Sequence, residues 1–285
     1  MPSPAQTLNK LLATGEILIM PCCHDALSAK LIERAGFPVT FMSGFAVSSC
    51  RLAMPDTGLI SFGEMVDQAR TITQAVSFPV LADGDTGYGN AVNVKRTVRE
   101  YAAAGLACVM IEDQLSPKRC GHTKGKQVVE FEEACQRIKA AVDARDEGAD
   151  ILIMARTDAR GVAGMEEALN RMKAFQEIGA DILFLEAPRS IEEMRQFCSV
   201  VPGYKMANLI ENGLTPVLPP EELKRLGYTI AAYPLTLLQA TISAVEDALA
   251  SLAQGKHPEG LKDFEMVKDI IGFSDYYREE QRYKS

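Results

Sequence analysis

Short apolar runs recur along this chain, each followed by a longer amphipathic stretch. They lie at 18–22, 39–43, 80–83, 108–112, 151–156, 182–186, 205–209 and 228–232. The runs are continuously apolar rather than alternating. That predicts parallel strands covered on both faces, because a strand with one wet face would alternate. Between them the apolar positions return with a helical period. Phe62, Met65, Val66, Ala69 and Ile72 share one face. Val94, Val98 and Tyr101 share another, as do Leu169, Met172, Phe175 and Ile178.

Gly36, Gly105, Gly148, Gly179 and Gly227 each stand just before a strand. Glycine there ends a helix through the left-handed conformation that other residues resist. Eight βα units in succession predict an α/β protein with a (β/α)8 TIM-type barrel, one domain over residues 1–285. A doubly wound open sheet is the competing arrangement, but no G-x-G-x-x-G opens any of these helices. From Leu235 onward about fifty residues are mostly helical in pattern, more than one barrel helix needs. Residues 255–285 therefore read as a C-terminal helical extension, part of which packs on a neighbouring subunit.

The 47% apolar content suits a sizeable core. Thirty basic and 38 acidic residues give a net charge of −8, which argues against a nucleic-acid partner. No apolar run approaches the roughly 20 residues of a membrane-spanning helix. The N-terminus, MPSPAQTLNKLL, lacks the basic start and apolar stretch of a signal peptide. The seven cysteines are odd in number and contain no CxxC zinc pattern. Reduced thiols in a cytoplasmic protein are the expectation, with no membrane partner.

A βα barrel carries its chemistry at the carboxyl ends of its strands. Polar residues collect there: His24, Asp25, Ser43, Asp83, Asp85, Glu112, Arg156, Asp158, Glu186, Asn208 and Tyr233. Asp83 and Asp85, within D-G-D-T-G, offer hard oxygen ligands for Mg2+, with Asp56 and Glu112 as outer-shell candidates. The same aspartates would also suit a helix-capping turn. Cys120 follows the fourth strand among Lys118, Arg119, Lys124 and Lys126. A thiol in a charged loop is unusual. The cations are expected to lower its pKa, and Gly121 and Gly125 to let the loop act as a lid. His122 either orients the thiol or packs. Arg156 is suited to grip a carboxylate, or to pair with Glu186 or another acid. Asn208 is placed to bond a substrate carboxylate or to close a local turn. Cys108, Cys135 and Cys198 read as structural, and Cys22, Cys23 and Cys50 have no assigned role.

These motifs resemble those of the isocitrate lyase / phosphoenolpyruvate mutase superfamily over essentially the whole chain. They are S-G at 43–44, D-G-D-T-G at 83–87, E-D-Q at 112–114, K-R-C-G-H at 118–122, A-R-T-D-A at 155–159 and L-E-A-P at 185–188. The K-R-C-G-H run is similar to that of the carbon–carbon lyases, and the branch most resembled is that of 2-methylisocitrate lyases and petal-death-protein-like 2-alkylmalate/oxaloacetate lyases. The resemblance implies a Mg2+-dependent barrel, with Mn2+ as a substitute, commonly a homotetramer (a dimer of dimers) with C-terminal helices swapped between subunits. It implies that Ser43, Gly44 and Phe45 hold the carboxylate of a 2-oxo acid. Asp83 and Asp85 would hold the metal, with Glu112 nearby. Cys120 would donate a proton from a mobile loop with Gly121 and His122, while Arg156, Glu186 and Asn208 line a di- or tricarboxylate substrate. Catalysis would rest on Cys120, Glu112 and Arg156.

Two departures narrow the substrate. Leu238-Gln239 and Ile210 stand where 2-methylisocitrate lyases tend to carry Arg and Thr, so polar reach for a third carboxylate is missing. Pro234 stands where oxaloacetate hydrolases prefer Ser. The expected reaction is cleavage of a 2-alkylmalate, with oxaloacetate as a related substrate. The alternatives are a 2-methylisocitrate lyase, a phosphonomutase that dispenses with the thiol, and a non-catalytic dicarboxylate-binding barrel.

Overall fold

A computed structural model describes residues 2–123 and 125–284. Lys124, one of the loop cations above, lies outside the described residues. Among the described residues eight strands alternate with helices: β1 Leu18–Cys23, β2 Thr40–Met42, β3 Val80–Asp83, β4 Cys108–Glu112, β5 Leu152–Thr157, β6 Ile182–Leu185, β7 Tyr204–Asn208 and β8 Ile230–Tyr233. All are parallel, and β8 pairs with β1 to close the barrel in sequence order. The helices are α1 Pro4–Leu12, α2 Ala26–Arg34, α3 Gly44–Leu52, α4 Phe62–Ala75, α5 Ala91–Ala103, α6 Phe131–Asp146 and α7 Ala159–Val162. They continue with α8 Met165–Ile178, α9 Ile191–Val200, α10 Pro220–Leu226, α11 Thr236–Ala253, α12 Phe264–Ile271 and α13 Phe273–Gln281.

β3, β4 and β6 are buried along their whole length, as parallel strands between a core and a helical ring must be, while Ile19 on β1 is exposed. The five helix-ending glycines all have φ between 84° and 112°. Strand boundaries differ from expectation by one or two residues for local reasons. Ser43 leaves β2 to cap α3, its hydroxyl accepting from the Ala46 N–H. Tyr228 closes α10 through its N–H to the Leu223 carbonyl, so β8 starts later than position 228.

Alternate strand residues fill the barrel: Leu18, Met20 and Cys22 on β1, Cys108 and Met110 on β4, Ile182 and Phe184 on β6, Ile230 and Ala232 on β8. A strand repeats its facing every two residues. The next inward positions after Leu81, Met110, Met154, Phe184 and Met206 are therefore Asp83, Glu112, Arg156, Glu186 and Asn208. The core's own parity delivers polar groups to the barrel mouth.

The chain divides into two compact units, Met1–Thr236 and Leu237–Ser285. The first holds the barrel. The second is helical and carries exposed apolar residues at Ile242, Val245, Leu249 and Leu252, a stripe at helical spacing along α11. No helix among the described residues is long and apolar enough to cross a membrane.

Candidate active site

A cavity of about 60 Å³ opens at the mouth of the barrel. Ser43, Phe45, Asp56, Asp83, Cys120, Gly121, His122, Arg156, Glu186 and Asn208 all line it. Its floor is the last apolar layer of the core, including Phe41, Met110, Phe184 and Met206, and Ile210, Pro234 and Leu235 form apolar wall. Gly44, Asp85 and Glu112 stand behind this lining. His24, Asp25 and Tyr233 do not line it: Asp25 caps α2 through the Ser28 N–H, and His24 is buried.

Asp83 ends β3 with both carboxylate oxygens closely packed. One accepts from the Asp85 N–H at 2.9 Å. A methyl group on Gly44 would lie 2.5 Å from the other, so only glycine lets the start of α3 approach this closely. The first N–H groups of a helix have no intrahelical acceptor and suit an anion. Tyr101, fully buried, donates its hydroxyl to the Asp83 carbonyl at 3.0 Å and braces the turn. Asp85 holds the left-handed conformation at φ 48°, a strained backbone of the kind that gathers at functional sites.

Lys118 was legible only as a nearby cation, yet it is buried between two of the predicted acids. Its Nζ lies 2.5 Å from Asp56 and 2.9 Å from Asp85. Burial pulls its pKa down, but Asp85, Asp83 and Asp56 outweigh that and hold it well above the usual lysine value. Even so, Asp56, Asp83, Asp85 and Glu112 outnumber the cations Lys118 and Arg156 around them. Burial, aided by Asp85, raises the pKa of Asp83. Burial also raises that of Glu112 well above the ordinary value, against the pull of Arg156. Glu112 Oε1 is buried and has no hydrogen-bond partner among the described residues. Desolvated acids with an unpaired oxygen fit a divalent cation. No three His, Cys, Asp or Glu side chains among the described residues converge into a ready-made cage. Mg2+ suits such a site, since it keeps several waters and needs few protein ligands.

Arg156 is committed on three sides. Its Nε and Nη2 grip the two oxygens of Asp158 at 2.8 and 3.2 Å. Glu112 lies 3.3 Å away and Glu186 3.2 Å, with the guanidinium over the Phe184 ring. The bidentate partner is thus the chain's own Asp158. Glu186 is a hub: it accepts from the Ala187 N–H at 2.8 Å and from Asn208 Nδ2 at 3.2 Å, and meets His122 Nε2 at 3.0 Å. Burial pushes its pKa up, yet Arg156 and His122 bring it down to about 2. The Leu214 N–H donates to His122 Nδ1 at 2.9 Å, so Nε2 carries the ring proton toward Glu186. His122 therefore orients Glu186 and ties the thiol loop to the segment after β7.

The thiol corrects one expectation. The Cys120 pKa is raised, not lowered: burial dominates, a hydrogen bond from the His122 backbone opposes it, and Glu186 adds to it. Two of the cations expected to stabilise a thiolate are spent elsewhere, Lys118 on Asp56 and Asp85 and Lys126 on Asp158. A thiol that stays protonated at neutral pH is equipped to donate a proton rather than to attack. Among the other cysteines, Cys22 is buried in the cavity floor, Cys23 and Cys108 are buried, and Cys50 is exposed.

A closed βα barrel with acids, a protonated thiol and a guanidinium around one cavity defines an enzyme of the barrel class. Comparison with known proteins is specific. A family model described as phosphoenolpyruvate phosphomutase matches residues 8–253. The chain is 44% identical over 283 residues to 2,3-dimethylmalate lyase of Eubacterium barkeri, covering 98% of each. It is 40% identical over 277 residues to 2-methylisocitrate lyase of Aeropyrum pernix, covering 96% of this chain and 89% of that one. A structure of oxaloacetate acetylhydrolase with the inhibitor 3,3-difluorooxalacetate matches with a TM-score of 0.93 at 34% identity, over 98% of this chain and 96% of that one. A phosphonopyruvate hydrolase complex with oxalate and Mg2+ matches with a TM-score of 0.88 at 30% identity, over 99% of each chain. The protein belongs to the phosphoenolpyruvate mutase/isocitrate lyase superfamily.

Proposed function

We propose that this protein is a Mg2+-dependent carbon–carbon lyase that cleaves a 2-hydroxy dicarboxylate of the 2-alkylmalate type. The observation that carries the reading is that Cys120 and Asp83 line one cavity whose wall also holds Ile210, Pro234 and Leu235. A proton donor, a metal-binding acid and an apolar surface for an alkyl group meet there. The similarity to 2,3-dimethylmalate lyase points the same way.

In this reading Asp83 and Asp85 hold the cation, with Asp56 and Glu112 around it. The metal supplies Lewis-acid stabilisation of negative oxygen. The Gly44 and Phe45 N–H groups at the start of α3 and the Ser43 hydroxyl seat the carboxylate of the emerging 2-oxo acid. The 2-hydroxyl gives its proton up to solvent, which later returns one to the Cys120 thiolate; the C2–C3 bond breaks, and its electron pair remains on the carbon next to the second carboxylate. Cys120 protonates that carbon. Arg156, oriented by Asp158 and Glu186, stabilises the developing charge, and Asn208 completes the wall. The products are a 2-oxo acid and a saturated carboxylate. The protein acts in the cytoplasm as a homotetramer, a state supported by the apolar stripe on α11.

A second reading, 2-methylisocitrate lyase, is favoured by the Aeropyrum relative. Ile210 in the cavity wall weighs against it, because an apolar side chain gives a third carboxylate no partner there. Assaying 2-alkylmalates, 2-methylisocitrate, oxaloacetate and phosphonopyruvate with Mg2+ for released 2-oxo acid or oxalate separates the readings. The expected result is preference for an alkylmalate. Preference for methylisocitrate, or rearrangement of phosphonopyruvate by a thiol-free variant, overturns the proposal.

A further inference from the structure

We propose that Lys126 is a positioning residue for Cys120, and that the buried Lys126–Asp158 ion pair is the latch that holds the thiol loop against the site. Only the activity readout below rests on the lyase reading.

Lys126 Nζ donates to the carbonyl of Gly121, the residue that follows Cys120, and lies 2.8 Å from Asp158 Oδ1. The two side chains are 6% and 0% exposed, so water and salt reach the pair poorly. Asp158 is the fixed end. Its carboxylate grips the Arg156 fork, and its N–H donates to Asp113 Oδ1 at 2.9 Å. Asp113 is itself anchored by Arg171 at 3.1 Å. Lys126 is the loop's end, on a segment where Arg119, Thr123 and Gly125 are exposed.

The contact falls where position matters most. A methyl group on Gly121 would lie 2.5 Å from both Arg156 Nη2 and Glu186 Oε2, so the loop backbone is already pressed onto that ion pair. Lys126 pulls on that backbone one peptide away from the sulfur. It is not among the residues that line the cavity. Its influence on a reacting atom runs through the loop backbone or through Asp158 to Arg156, and the alkylation readout below separates the two routes. An ion pair also suits a latch better than an apolar contact would. The desolvation cost of burying two charges nearly offsets their attraction, and water repays that cost when the loop lifts. The pair directs closure without locking it.

The test is Lys126→Met in the full chain. The expected result is a kcat lower by roughly 10- to 100-fold, the scale for a misplaced reacting group, with KM changed by less than about threefold. Cys120 should also be alkylated by iodoacetamide several-fold faster, read by peptide mass spectrometry, while exposed Cys50 keeps its wild-type rate. Removing a cation cannot by itself speed thiolate attack, so faster alkylation reports loop opening. Lys126→Arg should restore much of both. If Lys126→Met fails to fold, Lys126→Gln carries the same readouts, because it keeps a donor for Gly121 and loses the charge. Unchanged alkylation of Cys120 overturns the latch, whether or not kcat falls. If no alkylmalate is turned over, the alkylation result still decides the latch and the lyase reading fails separately.

Discussion

Cys120 is governed by burial more than by the cations that precede and follow it. A thiol raised above its ordinary pKa is a donor at neutral pH, and its donor form is lost only as pH rises through that raised value. Cys120→Ser is expected to lose cleavage by about 100-fold or more, measured as 2-oxo acid release. The alkaline limb of kcat in the wild type should then lie above the ordinary thiol range, and a limb near pH 7 would contradict the assignment. Asp83 and Glu112 run the other way in consequence. Carboxyls with raised pKa values stabilise the metal-free fold at low pH, and that contribution is lost as pH rises through the raised values. A cation must displace those protons. Mg2+ should therefore raise Tm strongly near pH 8, and the gain should fade on acidification before the ordinary carboxylate range is reached. Calorimetric titration of Mg2+ or Mn2+ across pH checks the same point. Glu186, held at about 2, stays ionised throughout and contributes stability until the pH falls toward that value.

The loop between β4 and α6 is an element held by charge. Lys118, His122 and Lys126 each end on an acid supplied by the barrel's strand ends or the loops that follow them: Asp56 and Asp85, Glu186, and Asp158. Its spacing of four residues between anchors was visible in the sequence, but their partners lie between 32 and 64 positions away. Gly121→Ala tests how tightly the element seats. The added methyl group meets the Arg156–Glu186 pair, so the loop must rise. The expected loss in kcat is about 100-fold, the scale of an ångström's misplacement, with overall stability little changed in a melting curve. Gly44→Ala pushes instead on Asp83 and should weaken Mg2+ binding more than it alters the fold.

The two compact units present different surfaces. The barrel buries most of its strand residues, whereas the second unit leaves Ile242, Val245, Leu249 and Leu252 exposed at a helical spacing. Such a stripe calls for a covering partner, and a second copy of the chain is the occupant proposed above. Leu249→Asp should shift the sedimentation profile toward smaller species while the far-ultraviolet dichroism of the barrel is kept. A monomeric wild type would remove the argument for a tetramer.

Read alone, the sequence determined the barrel, the order of its strands and most of the residues around its mouth. Continuous apolar runs, helix-ending glycines and the period of two along each strand are local properties, and a local pattern is written in consecutive residues. That Asp83, Glu112, Arg156, Glu186 and Asn208 continue the inward parity of the core follows from the same period. Only the tertiary structure decided that Arg156 grips Asp158, that Lys118 bridges Asp56 and Asp85, that Tyr101 braces Asp83, and that the thiol's pKa moves up. Those outcomes depend on distance and on exclusion of water. Both are set when segments remote in the chain pack together, and neither has a signature in any single segment.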